Sequence, residues 1–443
     1  MTTITDVRAY EVLDSRGTPT VEAAVILDGQ HLGRFCVPSG ASTGRYEALE
    51  LRDNDPLRYG GLGVQKAVEN IRGPMRSALI GRNATDQRTI DKLLIDLDGT
   101  ENKSHLGANA ILAVSVAYAK AIATSRALPL PIALAQALQS GNAQTPQVPP
   151  FQTPVPTFNV LNGGVHADSG LSVQEFMIAP VGASSVTEAI RWGVETYRTL
   201  RKLLMAGGHR VSVGDEGGFA PQLDSNERAL EILVQAITAA GYVPGEQIGI
   251  VLDVAATELY RDSSYHLAAA GSNQEKSSAS DLIALYQSWV RTYPILGIED
   301  GLAEDDWEGW RALSIALGDQ IQLIGDDLFV TNIAKLSQGI TTQVGNAIII
   351  KPNQIGTLSE TADSIFLAQS HNYVPIMANR SAENADSFIA DLALALSVPQ
   401  IKTGAPCRGE RIEKYNQLIR IDQDFAGATT YAGARFFPGR VPK

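Results

Sequence analysis

The stretch "NAIIIKPNQIGTLSETADSIFLAQSHNYVPIMANR", residues 346–380, decides how the chain is read. An apolar run ends at Lys351. "TLSETADSIFLAQSHN" then carries its apolar residues at helical spacing. A second short apolar run, Val374 to Met377, stops at Ala378-Asn379 and delivers Arg380 and Ser381. Strand, helix and strand in this order predict a parallel pair joined by a crossover helix, with both strands ending in a cation.

The same alternation extends outward. The runs "EFMIAP", "RVSVGDE", "GIVLDVA", "PILGIED", "IQLIGDD" and "PQIKTG" are separated by amphipathic segments such as "SSVTEAIRWGVETYRTLRKLL", "ERALEILVQAITAA" and "SDLIALYQSWVRTY". About eight strands over roughly 290 residues predict a closed (β/α)8-type barrel rather than an open sheet. Upstream, "TVEAAVIL" alternates like a strand, and "GANAILAVSVAYAKAIATSRAL" reads as a buried helix. Residues 139–156, "QSGNAQTPQVPPFQTPVP", have linker composition. The expected organisation is an α/β chain with a small α+β capping domain over 1–138, a linker over 139–156 and a barrel domain over 157–443.

The 443 residues carry a net charge of −12 and a pI near 5.1, which disfavours a nucleic-acid surface. No window holds the roughly 18 uninterrupted apolar residues of a membrane span, and the charged N-terminus lacks the apolar stretch of a secretion signal. Two cysteines, Cys36 and Cys407, make no disulfide framework or cysteine zinc site. A reducing cytoplasm is the expected compartment.

In a parallel barrel the C-terminal strand ends converge on one mouth. The predicted ends are Glu216, Asp253, Glu299, Asp326, Lys351, Arg380 and Lys402, four acids followed by three bases. Asp253, Glu299 and Asp326 repel one another unless a cation neutralises them, and oxygen ligands suit a hard divalent ion. Structural ion pairs with Lys351 or Lys402 are the alternative. Lys351, Arg380 and Lys402 facing a metal call for a multiply anionic ligand, and Arg380 beside Ser381 suits a phosphate. A metal and the other cations crowding Lys351 should lower its pKa toward that of a base, and a metal plus a basic lysine is equipment for removing a proton alpha to a carboxylate. Further donors lie in loops: "VPSGASTG" at 37–44, His166 in the lid-like "LNGGVHADSG", Gln174 and Glu175 in "SVQEF", and Glu216 in "GDEGG".

With "LDSRGTPTVE", "VPSGASTGRYEALELRD", "LGANAILAVSVAYAKA", "QEFMIAP", "VGDEGGFAP", "EDDWEGW", "GDDLFVTN", "IKPNQIGTLSET" and "QIKTGAP" in order, the chain closely resembles the enolase family over nearly its whole length. The resemblance implies a hydro-lyase that dehydrates 2-phosphoglycerate to phosphoenolpyruvate; a lysine base with one or two Mg2+ ions is an established pattern of the wider superfamily. It implies that Asp253, Glu299 and Asp326 hold the first Mg2+, and that Ser42 helps hold a second, substrate-dependent one. Lys351 would take the C2 proton, Lys402 would hold the substrate carboxylate, and Glu216, assisted by Glu175, would let the 3-hydroxyl leave. Arg380 and Ser381 would bind phosphate, while His166 and Gln174 close over the substrate. A homodimer or higher homo-oligomer is implied, with a small-molecule substrate and no nucleic acid or membrane partner.

The chain departs from the family at one wall. Ala378-Asn379 stand where the family has Ser-His, and Gly301 stands where it has Pro, which should loosen the turn beside Glu299. Asn379 keeps a hydrogen-bond donor but cannot carry charge. These changes fit either drift in a working enolase or a dehydratase retuned for a phosphonate or carboxyphosphono analogue of 2-phosphoglycerate. A non-catalytic binding barrel is the reading of another class.

Overall fold

The structure, a computed structural model, describes residues 2–40, 44–84, 86–139, 151–164, 169–267 and 275–439. Ser42 and His166 lie outside the described residues.

In the first domain β1 (Ile4–Leu13), β2 (Pro19–Leu27) and β3 (His31–Cys36) form an antiparallel sheet in the order β1-β2-β3. Its apolar face receives the helix Ala108–Ser125, long and apolar enough to cross a membrane by composition but with 83% of its residues buried within the protein. Alanines let this helix approach closely. At Gly33 of β3 a Cβ would lie 2.0 Å from the Ala117 carbonyl oxygen, so only glycine permits the contact.

The short β4 (Phe151–Thr153) leads into the barrel strands β5 (Val155–Asn162), β6 (Glu175–Ala179) and β7 (Gly249–Asp253). Regular strand structure therefore begins inside the stretch read as linker. An excursion, β8 (Tyr260–Arg261), β9 (Ser264–Leu267) and β10 (Glu275–Ser277), forms its own three-stranded sheet. Then come β11 (Ile295–Glu299), β12 (Gln322–Gly325), β13 (Ala347–Ile350), β14 (Val374–Ala378) and β15 (Gln400–Lys402). These eight close in the order β11-β12-β13-β14-β15-β5-β6-β7. A last strand, β16 (Thr429–Tyr431), pairs with β4, and the segment beyond it sends Phe437 into the lower barrel core.

Two expectations are corrected. The barrel is not all parallel, because β6 runs antiparallel to both β5 and β7. The run Arg210–Glu216 is not a strand: it makes one isolated bridge, Val213 to Phe219, and turns at Asp215-Glu216, with Gly217 at φ +86°. Flanking glycines favour that turn over an extended ladder.

The first domain leans on the barrel. Ser39 and Ala382 exchange backbone hydrogen bonds of 3.0 Å, and ion pairs join Lys103 to Glu360, Arg88 to Asp363 and Lys120 to Asp386. It covers the mouth beside Arg380.

Candidate active site

Each charged side chain reaches the mouth by a definable route. Asp253, Glu299 and Lys402 close β7, β11 and β15, while Asp326 and Lys351 immediately follow β12 and β13. Glu175 opens β6; because that strand is antiparallel, its N-terminal end lies beside Asp253 at the same rim. Glu216 arrives on the turn described above. Glu175, Glu216, Asp253, Asp326, Lys351, Arg380, Ser381, Lys402 and Gln174 line one cavity; Glu299 is not in its lining but pairs with Lys402.

The arrangement is a set of buried ion pairs. Lys402 Nζ lies 2.9 Å from Asp253 Oδ2, 2.8 Å from Glu299 Oε2 and 3.0 Å from Glu175 Oε2. Burial alone would lower the Lys402 pKa, but the surrounding carboxylates raise it well above its ordinary value. Lys351 Nζ donates to Asp326 Oδ2 at 2.5 Å, and Gln354 Nε2 donates to Asp326 Oδ1 at 2.9 Å. Burial likewise disfavours the Lys351 ammonium and the Asp326 carboxylate, but each charge stabilises the other: the lysine is raised and the acid lowered. At Lys351 the charge of Asp326 outweighs burial, Arg380 and Lys402; the expected fall in its pKa presupposes a metal that takes up this carboxylate. Among the described residues, the ion pairs posed as an alternative to a metal exist.

These pairs leave acid in excess. Eight carboxylates and three cations line the cavity. Glu299 is pushed well above its usual pKa by burial and by Asp253; Asp300 is raised by burial and Asp327; Asp327 rises to about 7 through burial and Asp326. Glu299 Oε1 is buried without a hydrogen-bond partner among the described residues. Oxygen donors of Asp300, Asp326 and Asp327 come within 4.8 Å of one another. An all-oxygen cluster with acid in excess fits a hard divalent cation, but the acids gathered this way among the described residues are Asp300, Asp326 and Asp327, which share only Asp326 with the expected set Asp253, Glu299 and Asp326.

Opposite the acids, the Arg380 guanidinium pairs with Glu47 Oε2 at 2.9 Å and donates to Asn353 Oδ1 at 3.2 Å. Asn379 Nδ2 donates to the Arg380 carbonyl at 2.8 Å. The Gly301 turn is firmly held, contrary to expectation: Tyr286 Oη donates to its carbonyl at 2.8 Å, and a Cβ there would lie 3.1 Å from Ile298 Cγ2.

Three participants were missed from the sequence. Glu47 sits in "RYEALELRD", whose first-domain position hid its reach to Arg380. Asp300 and Asp327 are the second acids of the doublets Glu299-Asp300 and Asp326-Asp327. Alternation along a strand assigns a second acid to the other face, but Asp300 turns at φ +42° and accepts hydrogen bonds from the Asp326 and Asp327 amides at 3.0 and 2.9 Å.

Comparison with known proteins gives a consistent result. Residues 4–133 match the family description "Enolase, N-terminal domain", and residues 150–439 match "Enolase, C-terminal TIM barrel domain". Proteins named Enolase 2 from Pseudomonas syringae pv. syringae and from Pseudomonas syringae pv. tomato are each 52% identical over 433 residues, covering 98% of this chain and 98% of each relative.

Proposed function

Because the chain belongs to the enolase family and is an enolase-type hydro-lyase, we propose that it dehydrates 2-phosphoglycerate to phosphoenolpyruvate with Mg2+. The observation that carries this reading is the juxtaposition, in one buried cavity, of Lys351 against Asp326 with Arg380 and Ser381.

In this reading Asp253, Glu299 and Asp326 hold one Mg2+, and Ser42 contributes to a second that arrives with substrate; the oxygen donors and the excess of acid support it. Bound there, Mg2+ supplies positive charge to the carboxylate end of the substrate as negative charge accumulates. Lys351 receives the C2 proton, for which its amine must be neutral; burial and the cationic neighbours Arg380 and Lys402 favour that form once Asp326 is shared. Lys402 is the counter-charge for the substrate carboxylate. Glu216, assisted by Glu175, protonates the departing 3-hydroxyl, and both lie in the cavity. Arg380 and Ser381 bind the phosphate. Gln174 and His166 close over it and exclude water.

A second reading rests on Asn379. Its amide Nδ2 is directed to the Arg380 carbonyl, so this wall differs chemically from one bearing an ionisable histidine. It accommodates a carboxyphosphono analogue of the substrate as the alternative. The domain limits follow the resemblance, a first domain to about residue 138 and a barrel from β5 onward, assembled as a cytoplasmic homodimer. The two free cysteines support a reducing compartment.

The deciding experiment measures turnover of 2-phosphoglycerate and of its carboxyphosphono analogue side by side, with Mg2+ and with chelator. Mg2+-dependent turnover favouring 2-phosphoglycerate is expected. Preference for the analogue would replace the first reading by the second.

A further inference from the structure

The Arg380 guanidinium already holds an anion from its own chain. Nη1 donates to Glu47 Oε2 at 2.9 Å and Nη2 to Glu47 Oε1 at 3.2 Å, the two-point fork by which an arginine also grips a phosphate. The two side chains are only 3% and 8% exposed, and both residues line the cavity at the barrel mouth. Burial disfavours the Arg380 cation, but the charge of Glu47 more than offsets this and raises its pKa.

Glu47 is held where it stands. Its Oε1 also accepts from the Gly44 amide at 3.0 Å and from Gln354 Nε2 at 3.4 Å. Gln354 is fixed in turn, because its Nε2 donates to Asp326 Oδ1 at 2.9 Å while its Oε1 accepts from Thr331 Oγ1 at 2.7 Å. An anion arriving at Arg380 therefore meets a carboxylate that is tied in place. Two anions sharing one buried guanidinium repel strongly. The other cations of the mouth bring no relief, since Lys351 is paired with Asp326 and Lys402 with Asp253 and Glu299.

Resting on the reading that Arg380 and Ser381 bind the substrate's phosphate, we infer that Glu47 is a specificity-determining residue of this mouth. It offsets the charge of Arg380, so a bare phosphate gains little there, and a phosphate group is retained only when a divalent cation enters with it. The site thereby selects a metal-accompanied phosphate ester over free inorganic phosphate or another lone oxyanion. Glu47 does this through Arg380, and it does so from the first domain.

The test is calorimetric titration of the full chain with inorganic phosphate, in chelator and over a series of Mg2+ concentrations, beside a melting curve for each variant. The wild type should bind phosphate weakly in chelator and more tightly as Mg2+ rises. Glu47→Gln should bind it about tenfold tighter in chelator and show a flatter dependence on Mg2+. Glu47→Ala makes the same comparison if the glutamine variant does not fold. Glu47→Asp, which keeps the charge, should stay close to the wild type. Unchanged or weaker binding in Glu47→Gln, the result of a carboxylate that merely orients Arg380, would overturn the inference, as would equal tightening in Glu47→Asp. Arg380→Met in the Glu47→Gln background separates the two levels. If phosphate binding survives it, the assignment of Arg380 falls and the role of Glu47 with it. If binding is abolished although Glu47→Gln had not tightened it, only the role of Glu47 falls.

Discussion

The two ends of the barrel are built from the same strands and differ in almost every other respect. At the lower end Val155, Met177, Val251, Leu296, Ile349 and Ile376 interdigitate and are closed from below by Phe437. At the upper end eight carboxylates and three cations line the mouth. One end lowers the free energy of the fold by removing apolar surface from water. The other raises it by holding charges in a poorly solvated space, as the upward shifts of Glu299, Asp300 and Asp327 record. The lesson is a division of labour along each strand: packing below makes an electrostatically strained mouth affordable above, and that strain is what a cation and an anionic substrate relieve.

The contrast can be broken from either end. The largest effect is expected for Lys351→Ala, which should reduce kcat by about 10⁴-fold with little change in melting temperature; steady-state kinetics beside calorimetry would show it. At the opposite end, Phe437→Ala should cost roughly 3–5 kcal/mol of stability, with kcat per folded molecule preserved, as read by denaturant titration and active-site counting. Burial holds the Asp327 pKa near 7 in the folded chain, above its value when unfolded. The native state therefore keeps a proton that the unfolded state has already released. Stability is full below about pH 4 and declines as pH rises toward 7. In chelator, Asp327→Asn should accordingly stabilise the protein at pH 8 by on the order of 4 kcal/mol and have little effect at pH 4. Adding Mg2+ to the wild type should raise its melting temperature more at pH 8 than at pH 5. The smallest effect belongs to Asn379→His, which should change kcat/KM for 2-phosphoglycerate by less than about tenfold; a larger gain would favour the analogue as the native substrate.

Much of this was legible in the sequence because a buried strand ends sharply. Ile349-Ile350-Lys351 and Ile298-Glu299 each pass from core to charge in one step, so position and charge could be read together. Strand direction could not. "EFMIAP" reads equally well both ways, and Glu175 reaches the mouth only because β6 is reversed. Glu216 was found for a partly wrong reason: "RVSVGDE" has strand-like alternation, yet its glycines turn it. The ion pair of Lys351 with Asp326 entered only as an alternative, because sequence supplies the neighbours but not their 2.5 Å contact. Glu47 belongs to another domain, and no local pattern announces a partner 333 residues away.

In the proposed reaction Lys351 removes the C2 proton while Asp253, Glu299 and Asp326 hold a divalent cation. Its most direct test is exchange of the C2 hydrogen of 2-phosphoglycerate with deuterated solvent, followed by NMR in the wild type, Lys351→Ala and Glu216→Gln. Exchange should require Mg2+, persist in Glu216→Gln although dehydration is lost, and vanish in Lys351→Ala. Exchange that continues in Lys351→Ala, or in chelator, would contradict the account.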